Sequence, residues 1–501
     1  MAHNRGETLM YLGVDCGTQS TKVVVVDVQA GRLIAEASRP HRLTEGAGGR
    51  REQAPEDWIG AFRGAFHEAL ARAGAGAESI RGIGVSGQQH GMVALDATGQ
   101  LLHPAKLWCD TETDAHNQAL IERLGGEAGC LEALGLVLQT GYTASKVAWL
   151  RDTHPEAYRR IDSLMLPHEY LNFWLTGEKA AEAGDASGTG YFDTRTRRWS
   201  NVVFAAIAPE LDPERVLPRL IDSREAVGRV RASLAQELGL GDGVLVSSGG
   251  GDNMLGAIGT GNIRPGRVTM SLGTSGTVCA WSETSVDAGS AMVANFCASH
   301  AGWLPLVCTM NVTSASTRIR ELFGLDIAGF NDALGGAPIG ADGVTALPFF
   351  NGERVPSLPL ATASLAGLTS RNTTVPNVCR AVVEGATFGL RYGLDLLGPL
   401  AAGASQVRLI GGGARSAVWR QMVADITNTE VVCPKVADAA ALGAAIQAAW
   451  CAGEGELEAL CERLVHLDDR LGVVPNGENV QAYREVYERY RATLLNQHGV
   501  G

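Results

Sequence analysis

Leu12-Gly13-Val14-Asp15-Cys16-Gly17-Thr18-Gln19-Ser20-Thr21 aligns without gaps against Val268-Thr269-Met270-Ser271-Leu272-Gly273-Thr274-Ser275-Gly276-Thr277 in the second half of the chain. Both segments set a Gly-Thr turn between strand-forming residues. The first runs on into the β-branched stretch Val23–Val26, the signature of a buried strand. The second lies within Arg267–Trp281, which reads as another pair of strands. A lone Gly-Thr pair carries little weight, but matched strands on both sides mark an internal repeat. Two phosphate-sized turns, one per half, predict two related α/β domains facing each other across a cleft.

Outward from the repeat, the rest of each half follows the same logic. Arg32–Pro40 and Ile80–Ser86 read as strands, and Pro55–Ala73 carries apolar residues at helical spacing (Trp58, Ala61, Phe62, Ala65, Phe66, Leu70). Val244–Ser248 is a strand that ends in glycines. In the second half, Thr374–Leu397 is a long helix, and Gln406–Ile410 is a strand that runs into Gly411-Gly412-Gly413 and a helix from Ala417. Glu430–Cys433 is a strand, Ala437–Cys451 an alanine-rich helix, and residues 455–495 a charged helical cap. A chain of 501 residues exceeds one simple core, and the boundary is expected between residues 246 and 247.

The formal charge of −12 repels phosphodiester backbones and argues against nucleic acid as a partner. The 10 cysteines include no C-x-x-C pair, so neither a zinc site nor a disulfide framework is indicated, and reduced thiols in the cytoplasm are expected. Met1–Thr8 is polar and predicts no signal peptide. No apolar run is long enough for a membrane span. Glycine is the outlier, with 63 residues clustered in a few places rather than spread as a linker.

Several segments carry candidate chemistry. Asp15 to Lys22 combines backbone N–H groups, hydroxyls and a cation in one turn suited to anions, and Asp15 can hold Mg²⁺ through water. A plain hairpin with a solvated lysine is the competing account. Asp252, after Gly249-Gly250-Gly251 and before an apolar helical stretch, is either a helix cap or a carboxylate placed to accept a proton. The three glycines favour the second account, because small residues there leave open space for a substrate. Ser86-Gly87-Gln88-Gln89-His90-Gly91 suits hydrogen bonding to a polyol, and Leu107-Trp108-Cys109-Asp110 offers a wall and an acceptor. Gly411-Gly412-Gly413-Ala414-Arg415-Ser416 lacks the G-x-G-x-x-G spacing of a dinucleotide site, so a nucleotide can lie flat on it instead. Asn351-Gly352-Glu353-Arg354 after Phe350 reads as an internal ion pair.

Taken together and in order, these motifs resemble the FGGY carbohydrate kinases from Tyr11 to Trp450, with Trp419-Arg420-Gln421-Met422 behind the last glycine run. Within that family the pattern is most similar to members that convert D-xylulose to D-xylulose 5-phosphate. The resemblance implies a duplicated actin-like, ribonuclease-H-like fold with ATP in the interdomain cleft. It implies Asp252 as catalytic base, with Asn253 beside it, and Asp15 near Mg²⁺ and the phosphates. It further implies Gly17, Thr18 and Lys22 as the first phosphate loop and Gly273 and Thr274 as the second. Gly412 and Gly413 correspond to the adenosine site, Gln89 and His90 to the sugar contacts, and a homodimer is common in such proteins. Gln89 departs from the Met frequent at that position, and Gly141-Tyr142 departs from a Pro-Gly-Phe-like segment. Other readings are a glycerol or ribulose kinase, an actin- or chaperone-type ATPase, which gives no reason for Gln89-His90, and a nicotinamide oxidoreductase, weakened by the glycine spacing.

Overall fold

The computed structural model describes residues 10–286 and 289–500; the polar lead-in Met1–Thr8 lies outside the described residues. In the first half the site is carried by β1 (Met10–Cys16), β2 (Ser20–Asp27), β3 (Arg32–Pro40), α1 (Pro55–Ala73), β4 (Ile80–Gly87), α2 (Thr143–Thr153), β5 (Leu245–Ser247) and α3 (Asp252–Thr260). In the second half it is carried by β6 (Arg267–Leu272), β7 (Gly276–Ala280), β8 (Ala294–Cys297), β9 (Trp303–Thr309), α4 (Val375–Leu396), β10 (Gln406–Ile410), α5 (Ala417–Thr427), β11 (Glu430–Val432), α6 (Ala439–Cys451), α7 (Leu457–Leu464) and α8 (Gly477–His498).

The two sheets are built alike. The first runs β3-β2-β1-β4-β5, with β1 antiparallel to β2, β2 antiparallel to β3, and β4 parallel to both β1 and β5. The second runs β9-β7-β6-β10-β11 with the same sequence of antiparallel and parallel pairings. The repeat read in the sequence is therefore a repeat of topology. One difference lies in the hairpins. Cys16 pairs with Thr21 in the first copy, but Leu272, which aligns with Cys16, pairs with Gly276, so the second turn is one residue tighter.

Packing explains the residue pattern. Val23, Val24, Val25 and Val26 of β2 are all fully buried because the sheet is covered on both faces. Val23 and Val25 join Trp58, Phe62 and Phe66 of α1 in one cluster, whereas Val24 and Val26 join Ala441, Leu442 and Ala445 of α6 in another. The alanines of α6 let backbones meet directly. A Cβ at Gly13 would lie 1.9 Å from the Ala441 carbonyl oxygen, and one at Gly84 2.0 Å from that of Ala444. Between α3 and α6 the fit is equally close: a Cβ at Gly443 would lie 1.8 Å from the Leu255 carbonyl oxygen. Part of the glycine excess thus serves backbone contact rather than ligand approach. The charged segment 455–495 is not a single helical cap. It forms α7, packed with α6 beside the first sheet, and α8, packed on α5, with non-helical chain between them in which Val473 pairs with Val431.

Candidate active site

Both Gly-Thr turns open onto one cleft of about 710 Å³ between the halves. Gly17, Thr18, Lys22, Gln89, His90, Trp108, Asp252 and Asn253 line it from the first half, and Ser271, Gly273 and Thr274 from the second.

Asp252 is the first residue of α3, with Gly251 as the cap, so the carboxylate stands at the helix N-terminus without capping it. Its Oδ1 accepts from the Asn253 backbone N–H at 2.7 Å and from Asn253 Nδ2 at 3.0 Å, and among the described residues no other residue donates to Oδ2. Burial pushes its pKa up to about 6, against the pull of the Asn253 donors and Lys22. A carboxylate poised there is ionised at neutral pH yet basic enough to take a proton. The preceding glycines do not leave open space, contrary to the sequence expectation. A Cβ at Gly249 would lie 2.5 Å from the Val85 carbonyl oxygen, at Gly250 2.5 Å from Ser299 Oγ, and at Gly251 2.7 Å from Gln89 Cγ. They let the chain press against its neighbours, which brings Gln89 beside Asp252.

Gln89 and His90 follow β4. Gln89 Oε1 accepts from Asn253 Nδ2 at 2.9 Å, and its side chain also meets the buried Asp185 carboxylate, whose raised pKa it helps to hold down. His90 has φ of 65°, a left-handed conformation uncommon for a residue with a side chain. Its Nδ1 lies 2.8 Å from the Gly188 carbonyl oxygen. A carbonyl only accepts, so Nδ1 carries the proton and Nε2 is left as an acceptor. Burial first, then the nearby Lys146 charge, holds the His90 pKa down to about 3, so the ring stays neutral. Trp108 donates from Nε1 to Thr18 Oγ1 at 2.9 Å and so joins the polyol end to the first phosphate turn. Asp110 does not line the cleft, contrary to expectation. It is wholly buried, and its Oδ2 accepts from Lys106 Nζ at 3.0 Å and from the Arg51 backbone at 2.8 Å, in a cluster with Glu52 and Glu112.

At the other end, Lys22 Nζ stands 3.8 Å from Asp15 Oδ2 and 2.9 Å from Asp438 Oδ2. Asp438 immediately precedes α6, and nothing in its local sequence marked it. Burial, the Asp438 charge and, less strongly, Asp252 push the Asp15 pKa up to about 7, with Lys22 and a 2.9 Å hydrogen bond from Ser86 opposing. One ammonium does not neutralise this set of carboxylates, so hard oxygen ligands and surplus negative charge fit a hydrated Mg²⁺. Of the late glycines, Gly411 packs against Leu272 and Gly273, Gly413 against Leu272 and Trp419, and Gly412 faces open space. The run therefore lies beside the second turn. Arg354 also lines the cleft and, among the described residues, is not ion-paired with Glu353. That carboxylate accepts instead from the Met310 backbone at 2.6 Å and from Asn311 Nδ2 at 3.0 Å. Tyr142 and Phe296 complete the wall beside His90, with ring centroids 4.6 and 5.9 Å from its own.

Models of the FGGY family of carbohydrate kinases match residues 10–259 (N-terminal domain) and 268–452 (C-terminal domain). The chain belongs to the FGGY family of carbohydrate kinases. The xylulose kinase of Haemophilus influenzae is 52% identical over 489 residues, covering 97% of this chain and 99% of the relative. That of Streptomyces rubiginosus is 41% identical, covering 88% and 87%. A crystal structure of a xyloylose kinase from Brucella ovis superposes with a TM-score of 0.90 at 30% identity, covering 98% and 99% of the two chains. The duplicated sheets are thus the actin-like fold of FGGY kinases, and ATP is the family's phosphoryl donor. Among the described residues, no helix is long and apolar enough to cross a membrane.

Proposed function

We propose that this FGGY kinase transfers the γ-phosphoryl group of Mg·ATP to D-xylulose, giving D-xylulose 5-phosphate, with Asp252 as base. The observation that carries the mechanism is the Asp252 carboxylate, its Oδ1 fixed by Asn253, in a cleft that both Gly-Thr turns enter. The xylulose kinases among its relatives support the choice of sugar. Gln89 and His90 Nε2 face sugar hydroxyls, the histidine nitrogen as an acceptor, while Trp108 and Tyr142 wall the pocket. Asp252 accepts the proton of the attacking hydroxyl as its oxygen bonds to the γ-phosphorus and the bond to the β-phosphate oxygen breaks. Gly17, Thr18 and Lys22 hold the phosphates from one side and Gly273 and Thr274 from the other, and Gly412 offers a flat surface for adenosine. Asp15, with Asp438, would hold Mg²⁺, which supplies charge neutralisation on the phosphates. Catalysis is then mostly positioning and electrostatics. Ten free thiols and use of ATP support a cytoplasmic enzyme, and the proposal includes a homodimer, on the family resemblance alone.

ADP release in a coupled assay across D-xylulose, D-ribulose, L-ribulose, glycerol and no sugar tests this. Strong stimulation by D-xylulose supports the reading. Stimulation by another polyol alone discards xylulose, and sugar-independent hydrolysis discards the kinase mechanism.

A further inference from the structure

Behind the wall made by His90 and Tyr142 lies Lys146, in the first turns of α2. Its side chain is wholly buried and does not line the cleft. Its Nζ donates to the carbonyl oxygens of His90 at 3.1 Å and Tyr142 at 3.1 Å, and also to that of Gly141. These bonds use the three N–H groups of the ammonium. Among the described residues, Lys146 makes no ion pair with a carboxylate. A cation near the start of a helix also opposes the helix dipole, and burial pushes the Lys146 pKa down to about 7, with the Asp110 charge opposing. Filling space alone would call for an apolar residue of similar volume.

The three carbonyls belong to two separate segments. Gln89-His90 comes from the end of β4, and Gly141-Tyr142 precedes α2. Both line the polyol end of the cleft. The same His90 carbonyl accepts a further bond from Thr143 Oγ1 at 3.2 Å. Pinning this carbonyl fixes the peptide plane after a residue with φ of 65°. The His90 ring is then held between the Gly188 carbonyl and the Tyr142 ring. Among the described residues, no bond from Lys146 reaches the phosphate turns or Asp252.

We propose that Lys146 is a positioning residue for the sugar, clamping the Gln89-His90 segment to the Gly141-Tyr142 segment so that their groups keep the spacing that a polyol requires. The inference rests on the reading of Gln89 and His90 as sugar contacts. Its signature is selective, because sugar binding suffers while nucleotide binding does not.

Steady-state kinetics of the full chain with Lys146→Met, Lys146→Arg and Thr143→Val test it, using whichever sugar stimulates the unmodified enzyme. Failure of D-xylulose as substrate and failure of the clamp are thereby read separately. Lys146→Met, which keeps the volume and loses the donors, should raise the sugar KM about tenfold or more, as expected for lost buried hydrogen bonds. The ATP KM should stay unchanged, and Lys146→Arg should recover part of the loss. Thr143→Val, a milder change, should shift the sugar KM in the same direction and serves if Lys146→Met does not fold. An unchanged sugar KM in whichever of these two variants folds, or equal rises in the sugar and ATP KM, would overturn the proposal.

Discussion

Replacing Asp252 by Asn preserves the shape of the side chain and an oxygen for the Asn253 donors, but removes the ability to take a proton. General-base contributions are typically about 10²–10⁴-fold, equivalent to about 3–5 kcal/mol of transition-state stabilisation. The structure adds a pH signature. With its pKa raised to about 6 by burial, the active form is the carboxylate, so activity is lost as pH falls through that value. About nine-tenths of the groups are ionised at pH 7 and about one-tenth at pH 5, so kcat/KM should fall about tenfold between them. The assay is coupled ADP release at saturating Mg·ATP, with sugar varied, from pH 5 to 8. Protonation of ATP itself is separated by the variant, whose residual rate should lack the limb attributable to Asp252. Asp252→Asn with more than a tenth of the native kcat, or a native profile flat from pH 5 to 7, would refute the assignment.

Asp438→Asn should weaken the hold on Mg²⁺ without touching the sugar end. A Mg²⁺ titration of activity should shift to higher concentration while the sugar KM stays put, and an unshifted titration removes Asp438 from the site. Asp110→Asn tests the reassignment of that residue to the buried Lys106 cluster. It should lower Tm but leave the sugar KM within about twofold, since surviving partners keep the cleft intact; a large KM change with normal Tm would restore a binding role. Gly443→Ala forces a Cβ against the Leu255 carbonyl oxygen. It should cost about 3 kcal/mol, about 3 °C in thermal unfolding for a chain of 501 residues, and a neutral result would mean that α3 and α6 can part freely.

The hairpins and α1 were legible because each is fixed by local signals: β-branched strands, 3.6-residue periodicity, and turns between them. Pro55–Ala73 was read with its structural bounds for this reason. Where a motif carried the candidates, the fold brings them together: Gln89, His90 and Asp252 line one cleft, and Asp15 stands by Lys22. The site was obscure where tertiary contact decides. Asp438 meets Lys22 only because α6 returns to the first sheet, and Lys146 is bound by carbonyls, which side-chain chemistry in the sequence does not reveal. Asp110 misled because an acidic residue after a tryptophan reads the same whether it faces a sugar or a buried lysine. The glycines before Asp252 misled similarly, since a need for empty space and a need for tight contact select the same residue.

The return of α6 also bears on whether the halves can exist apart. This helix comes after the second sheet is complete, yet it covers β1, β2 and β4 of the first. A fragment ending near residue 260 would expose Val24, Val26 and the bare backbone at Gly13 and Gly84 to water, and would have no lid for that face. Co-expressed with residues 261–501, the same fragment would regain the missing layer. Splitting the gene at that point should therefore yield two insoluble products when made singly and a soluble, active complex when made together. The repeated halves are, in this respect, reciprocal subunits that happen to share a chain.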